Sequence, residues 1–294
     1  MTAAIINIVA PVFAIVLAGF FYARRHAPDM AAANSLNLRI FLPALVFSAI
    51  AANDANDAPL RHYQDLAIAG ALVFLISGVA AIPIAKLFGF RLKTFLPPMM
   101  FNNCGNMGLP LALLTFGEAQ LTGMVILFVV TNLLAFSVGF MIIAGRIDGA
   151  QLLTNPILLA TAAAVATQAT GVTLPDAALH TTTLLGQVSI PLLLFALGVR
   201  MTGIKLRDWR IGIIGAIASP LTGVIGALIA AAILDIRDLK FQQLMLYAVL
   251  PPAVLNFIMA EQARQEPQQV AAIVLIGNAA AIIVVPVALG YLLH

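Results

Sequence analysis

Charge is what this sequence has least of. Of its 294 residues, 15 are Lys or Arg and 12 are Asp or Glu, 9% in all, against 62% hydrophobic. A soluble domain carries roughly 25% charged residues, so a water-soluble globule is excluded. A nucleic-acid-binding module goes with it, because the basic residues behind the net charge of +3 sit in short segments between apolar runs. Cysteine is nearly absent as well. The lone Cys104 excludes an internal disulfide and a multi-cysteine metal site, and we expect neither metal nor cofactor. No His-Glu-x-x-His helix, Gly-x-Ser-x-Gly elbow or pair of mid-span carboxylates occurs. No catalytic residue is therefore assigned. The lack of mid-span aspartates also argues against an antiporter built on paired aspartates. Nothing basic precedes the first apolar run, so no cleavable signal peptide is expected.

What remains is an integral membrane protein, with a mean hydropathy of +1.04. Apolar stretches of ~20 residues read as spanning helices. Ten are expected, at 4–23, 33–52, 64–87, 94–117, 122–144, 153–171, 179–200, 209–233, 241–262 and 269–292. Eleven basic residues (Arg24, Arg25, Lys86, Arg91, Lys93, Arg146, Arg200, Lys205, Arg207, Arg210 and Arg264) fall in or beside alternate loops, and Arg39 faces the same side. The other loops hold Arg61, Arg237 and Lys240. The positive-inside rule makes the first set cytoplasmic. A multi-pass protein of a bacterial inner membrane, with both termini periplasmic, is expected.

Two spans are interrupted. Span 4 contains Phe101-Asn-Asn-Cys-Gly-Asn-Met-Gly-Leu-Pro110, and span 9 contains Leu250-Pro-Pro-Ala-Val-Leu-Asn256. Irregular backbone survives inside a bilayer only where it is buried in protein or lines a cavity, and broken helices mark the sites of secondary transporters. Five spans per half implies inverted halves, 1–145 and 146–294. Phe41-Leu-Pro-Ala-Leu-Val-Phe47 in span 2 is matched by Ser189-Ile-Pro-Leu-Leu-Leu-Phe195 in span 7, and Asn132 by Asn278. Leu96-Pro-Pro98 also matches Leu250-Pro-Pro252, but at a different offset; we treat Pro251 and Pro252 instead as the counterparts of Gly105 and Asn106. Breaks at corresponding depth let spans 4 and 9 cross as an X, near residues 102–108 and 251–256. Four half-helix ends then meet, and free N–H groups with positive dipole ends favour an anion.

Asn103-Cys-Gly-Asn-Met-Gly-Leu-Pro-Leu111 with Phe116-Gly-Glu118, and Leu250-Pro-Pro-Ala-Val-Leu-Asn-Phe-Ile-Met-Ala-Glu261, resemble the span-4 and span-9 signatures of the auxin efflux carrier family. That family includes plant auxin carriers and bacterial malonate transporter-like proteins. The resemblance implies an all-α membrane fold of two inverted five-helix repeats, similar to bile-acid/sodium symporters. It further implies a scaffold of spans 1, 2, 6 and 7 beside a transport unit of spans 3–5 and 8–10, moving an organic anion bound at the crossing. Residues 145–152 replace the long loop between halves that many plant members carry.

Candidate substrate-binding residues are Asn102, Asn103, Gly105, Asn106, Gly108, Pro110, Pro251, Pro252 and Asn256. Each has a plainer reading: asparagines satisfy broken backbone ends, and glycines allow close packing or positive φ. Asn132 and Asn278 read as interhelical hydrogen-bonding groups and, with Glu261, as candidates for ion coupling. Arg39 reads as a snorkelling side chain, and no basic group is expected at the crossing. A mono- or dicarboxylate, the lipid bilayer, a coupled proton or sodium ion and a second copy of the chain are the partners considered. A carrier is the leading function; an uncoupled channel or membrane sensor is the alternative.

Overall fold

The computed structural model describes residues 2–52, 60–145, 149–202 and 208–292. Among them every regular element is helical. The first group runs α1 (Thr2–His26), α2 (Ala31–Leu36), α3 (Leu42–Ala51), α4 (Gln64–Phe88), α5 (Leu92–Met100), α6 (Leu109–Phe116), α7 (Leu121–Leu134) and α8 (Phe140–Ala144). It is followed by α9 (Gly149–Leu153), α10 (Pro156–Thr170), α11 (Asp176–Met201), α12 (Trp209–Leu234), α13 (Asp238–Ala248), α14 (Leu255–Gln262) and α15 (Pro267–Leu292). Three π-helical turns join pieces end to end: Asn37–Phe41 between α2 and α3, Cys104–Gly108 before α6, and Ala135–Gly139 between α7 and α8.

Among the described residues, seven helical stretches are long and apolar enough to cross a membrane. The sequence led us to expect ten. The stretches expected as spans 4, 6 and 9 are not among the seven: α5–α6 and α13–α14 are interrupted and offer no continuous run, and α10 is only 15 residues long. Exterior faces are apolar: Val79 is 67% exposed and Ile283 71%. Such faces suit hydrocarbon, not water. Prolines inside α1, α4, α11, α12 and α15 are tolerated because neighbouring helices shield the freed carbonyls.

Packing divides the helices into two groups. In one, α1 lies along α11, and α3 packs against both α10 and α11. The α1–α11 contact is backbone to backbone: a Cβ on Gly198 would collide with the Val16 carbonyl, and one on Gly19 with the Phe195 carbonyl. In the other group α12 packs on α4 and α15, α5 and α7 lie on α4, and α13 touches α7, α12 and α15. Polar contacts fasten this second group at its ends. Arg91 pairs with Glu266 at 3.4 Å, and the Thr94 hydroxyl donates to the same carboxylate while accepting from Gln265 Nε2 at 3.0 Å. Elsewhere Lys240 pairs with Asp65 at 2.8 Å, and Gln243 Nε2 donates to the Gln120 carbonyl at 2.8 Å. Arg146, Lys205 and Arg207 of the basic set lie outside the described residues.

Candidate functional site

Both interrupted spans break where the sequence marks them, and the breaks close on each other. α5 stops at Met100 and α13 at Ala248. Beyond those ends Asn102 and Pro252 face each other as an antiparallel bridge. The Asn103 N–H donates to the Pro251 carbonyl at 2.6 Å and the Ala253 N–H to the Phe101 carbonyl at 2.8 Å. Prolines 251 and 252 have no N–H to satisfy, which reduces what an opened chain must pair. Pro97 and Pro98, by contrast, lie inside α5, so the two Leu-Pro-Pro segments are not structural counterparts.

Asparagine side chains complete the closure. Asn256 Nδ2 donates to the Phe101 and Ala253 carbonyls, both at 2.9 Å. Asn278 Nδ2 donates to the Pro252 carbonyl at 2.9 Å and to Val274 at 2.8 Å, and its Oδ1 accepts from Asn103 Nδ2 at 2.8 Å. Asn102 Nδ2 donates to the Tyr247 carbonyl at 2.7 Å. Both amide hydrogens of Asn256 and of Asn278 are thus engaged by protein carbonyls. Asn106 differs: its side chain makes no hydrogen bond among the described residues.

A cavity of about 800 Å³ reaches the crossing. From span 4 it is lined by Phe101 to Asn106, and from span 9 by Ala253, Val254 and Leu255. These are the break residues themselves and the first residues of the two half-helices that follow. No backbone acceptor among the described residues takes the N–H groups of Cys104, Gly105 or Asn106. The same holds for Val254 and Leu255. Two positive helix ends therefore share one cavity. The lining carries seven asparagines (34, 37, 102, 103, 106, 132 and 155) with Thr131, Arg39 and Arg200, and no carboxylate among the described residues. All three π turns contribute to it, through Asn37, Cys104 and Ala135; such turns recur at functional sites.

Several sequence expectations need correction. Basic groups do share the cavity with the crossing: Arg200, in the last turn of α11, is half-buried, and Arg39 lies exposed on the first π turn. The one signal the sequence offered for Arg200 was spacing: Leu193, Ala196, Leu197 and Arg200 recur on one helical face, and all four line the cavity. Asn132 is no interhelical link; its Nδ2 donates to Phe128 of its own helix at 2.9 Å, and it faces the cavity. Asn278 does connect separate elements. Glu261 is exposed near the end of α14 and is absent from the cavity lining. Neither Gly105 nor Gly108 has positive φ. They serve close packing: a Cβ at Gly105 would lie 2.8 Å from the Phe128 ring, and one at Gly108 2.7 Å from Leu250. Pro110 is buried in the first turn of α6. Pro251, Pro252 and Asn256 belong to the closure and do not line the cavity.

Compared with known families, residues 4–153 and 146–289 match the model for a family described as membrane transport protein. No curated protein matches the chain.

Proposed function

This chain belongs to the membrane transport protein family, that of the auxin efflux carriers, and on that premise we propose that it is a secondary transporter of a small organic carboxylate. It is a multi-pass membrane protein of a transport family. The observation that carries the substrate charge is the cavity: two half-helix N-termini, two arginines and no acidic group among the described lining residues. Free N–H groups at helix starts bind anions. Asn106 adds an unengaged amide beside them, while Asn102, Asn103, Asn256 and Asn278 hold the breaks in place.

We infer an elevator-type alternating-access mechanism. The group α1, α2–α3, α10 and α11 forms the scaffold, and α4–α8 with α12–α15 forms the moving unit. Support comes from the packing, which is denser within each group than between them. The pairings also exchange when each span is replaced by the one five positions on: α1–α11 becomes α10–α3, and α12–α5 becomes α4–α13. That exchange supports two inverted five-helix repeats, 1–145 and 146–294. Arg39, Asn155 and Arg200 line the cavity from span ends that the basic bias assigns to the cytoplasm. On that reading the arrangement is open inward, with periplasmic termini. Of the coupling candidates, Asn132 is the one that faces the cavity.

The test is flux in proteoliposomes together with thermal stabilisation by organic acids, since a ligand of the folded state raises its stability. Saturable carboxylate uptake with counterflow is expected. Uptake without saturation or counterflow would identify a channel, and stabilisation by cations alone would refute the anion site.

A further inference from the structure

The crossing supplies only part of the cavity's polar lining. From the other helix group come Arg200 on α11 and Asn37 on the π turn before α3, and α11 packs against that turn. Asn37 is 2% exposed, and its side chain makes no hydrogen bond among the described residues, leaving Oδ1 buried without a partner. Arg200 is half-buried in the cavity wall and has no ion pair or hydrogen bond among the described residues. The guanidinium lacks an acceptor and the Asn37 oxygen a donor, and leaving either buried and unmet is costly. No acidic group among the described residues lines the cavity to take the guanidinium.

We propose that Arg200, supported by Asn37, is the second anchor of the substrate site and selects an organic dianion whose far carboxylate it holds. This rests on the carboxylate reading above. One carboxylate of the ligand takes the half-helix N–H groups and Asn106; the other takes the guanidinium, whose planar fork matches a carboxylate bidentately. An anion held this way bridges the two helix groups. Arg200 therefore contributes in the arrangement with this cavity open, and a monocarboxylate engages only the crossing.

The test compares chain-matched acids, succinate against butyrate and malonate against propionate, by titration calorimetry on the purified full-length protein and on its Arg200→Gln, Arg200→Lys and Asn37→Ala variants. Each variant is first checked for a monodisperse elution profile. The wild type should bind the diacid at least about tenfold more tightly than its monoacid partner, a difference of about 1.4 kcal/mol. Arg200→Gln should bring that ratio to about one while leaving monoacid affinity within about twofold. Arg200→Lys should retain part of the preference, and Asn37→Ala should reduce it, which keeps the idea testable if the glutamine variant does not fold. An unchanged ratio in the Arg200 variants, or equal losses for diacid and monoacid, overturns the anchor while leaving the crossing site standing. A wild type that binds neither class overturns the carboxylate reading, and the anchor with it.

Discussion

Asn278→Ala is the sharpest stability test of the crossing. Asn278 is 3% exposed and joins three partners. Its removal leaves the Pro252 carbonyl and the Asn103 amide without those bonds. Val274 loses nothing essential, because its carbonyl keeps its helical bond within α15. A buried polar group left unpaired costs ~1–3 kcal/mol, so two of them predict a loss of ~2–6 kcal/mol. Water offers little rescue. The cavity next to Asn278, about 190 Å³, is walled chiefly by Phe13, Val16, Leu17, Phe20, Met107 and Ile282, and a buried water needs 2–4 polar partners. Asn132→Ala is the control. Asn132 donates only to Phe128 in its own helix, and that carbonyl likewise keeps its backbone partner. Its loss should cost less than ~1 kcal/mol. Unfolding in detergent, followed by denaturant titration and by recovery of monodisperse protein after heating, measures the pair. Equal destabilisation, or a larger cost at Asn132, would refute the assignment of Asn278 as the residue that seals the breaks.

Further outcomes follow from the same geometry. Asn106→Ala should leave folding intact and weaken carboxylate binding about tenfold, the value of one hydrogen bond to a charged group; titration calorimetry against the wild type checks it. Gly198→Leu should abolish the folded protein, because the side chain meets the α1 backbone at Val16 and Phe20, whereas Gly149→Ala enters open space and should be silent; size-exclusion yield distinguishes them. In a Cys104→Ser background, a cysteine beside Asp235 should react with an impermeant thiol reagent from outside cells and one beside Arg91 should not. The opposite pattern would reverse the proposed orientation.

The breaks were legible because Asn, Gly and Pro have few uses inside an apolar run. Phe101–Pro110 and Leu250–Asn256 could be placed without any structure, and so could the need for them to meet. What the amides do there was not legible. Asn102, Asn103 and Asn106 look alike in sequence, yet two have donors drawn into the closure and the third stays unengaged. That depends on the rotation of each residue about its half-helix, which a π turn at Cys104–Gly108 resets. Asn132 and Asn278 are likewise alike in sequence, but one bonds within its helix and the other across the crossing. Arg200 was misread because a charge at a helix end satisfies the topology rule whether it points at headgroups or inward. The grouping into scaffold and transport unit was expected from the family resemblance alone; no periodicity in the chain marks it, since helices facing lipid are apolar all round.

The mutual closure of the two breaks also governs how the protein can be made. The Phe101 carbonyl and the Asn103 N–H find their backbone partners only in residues 251–253, about 150 positions later in the chain. When the first half has entered the bilayer and the second is still being synthesised, those peptide groups have no protein partner, and hydrocarbon supplies none. A first half inserted ahead of the second should therefore need its opened segment kept wet, or shielded, until Pro251 to Ala253 arrive. Expressed alone, residues 1–145 should be short-lived; expressed beside a separate 146–294, they should be rescued by assembly.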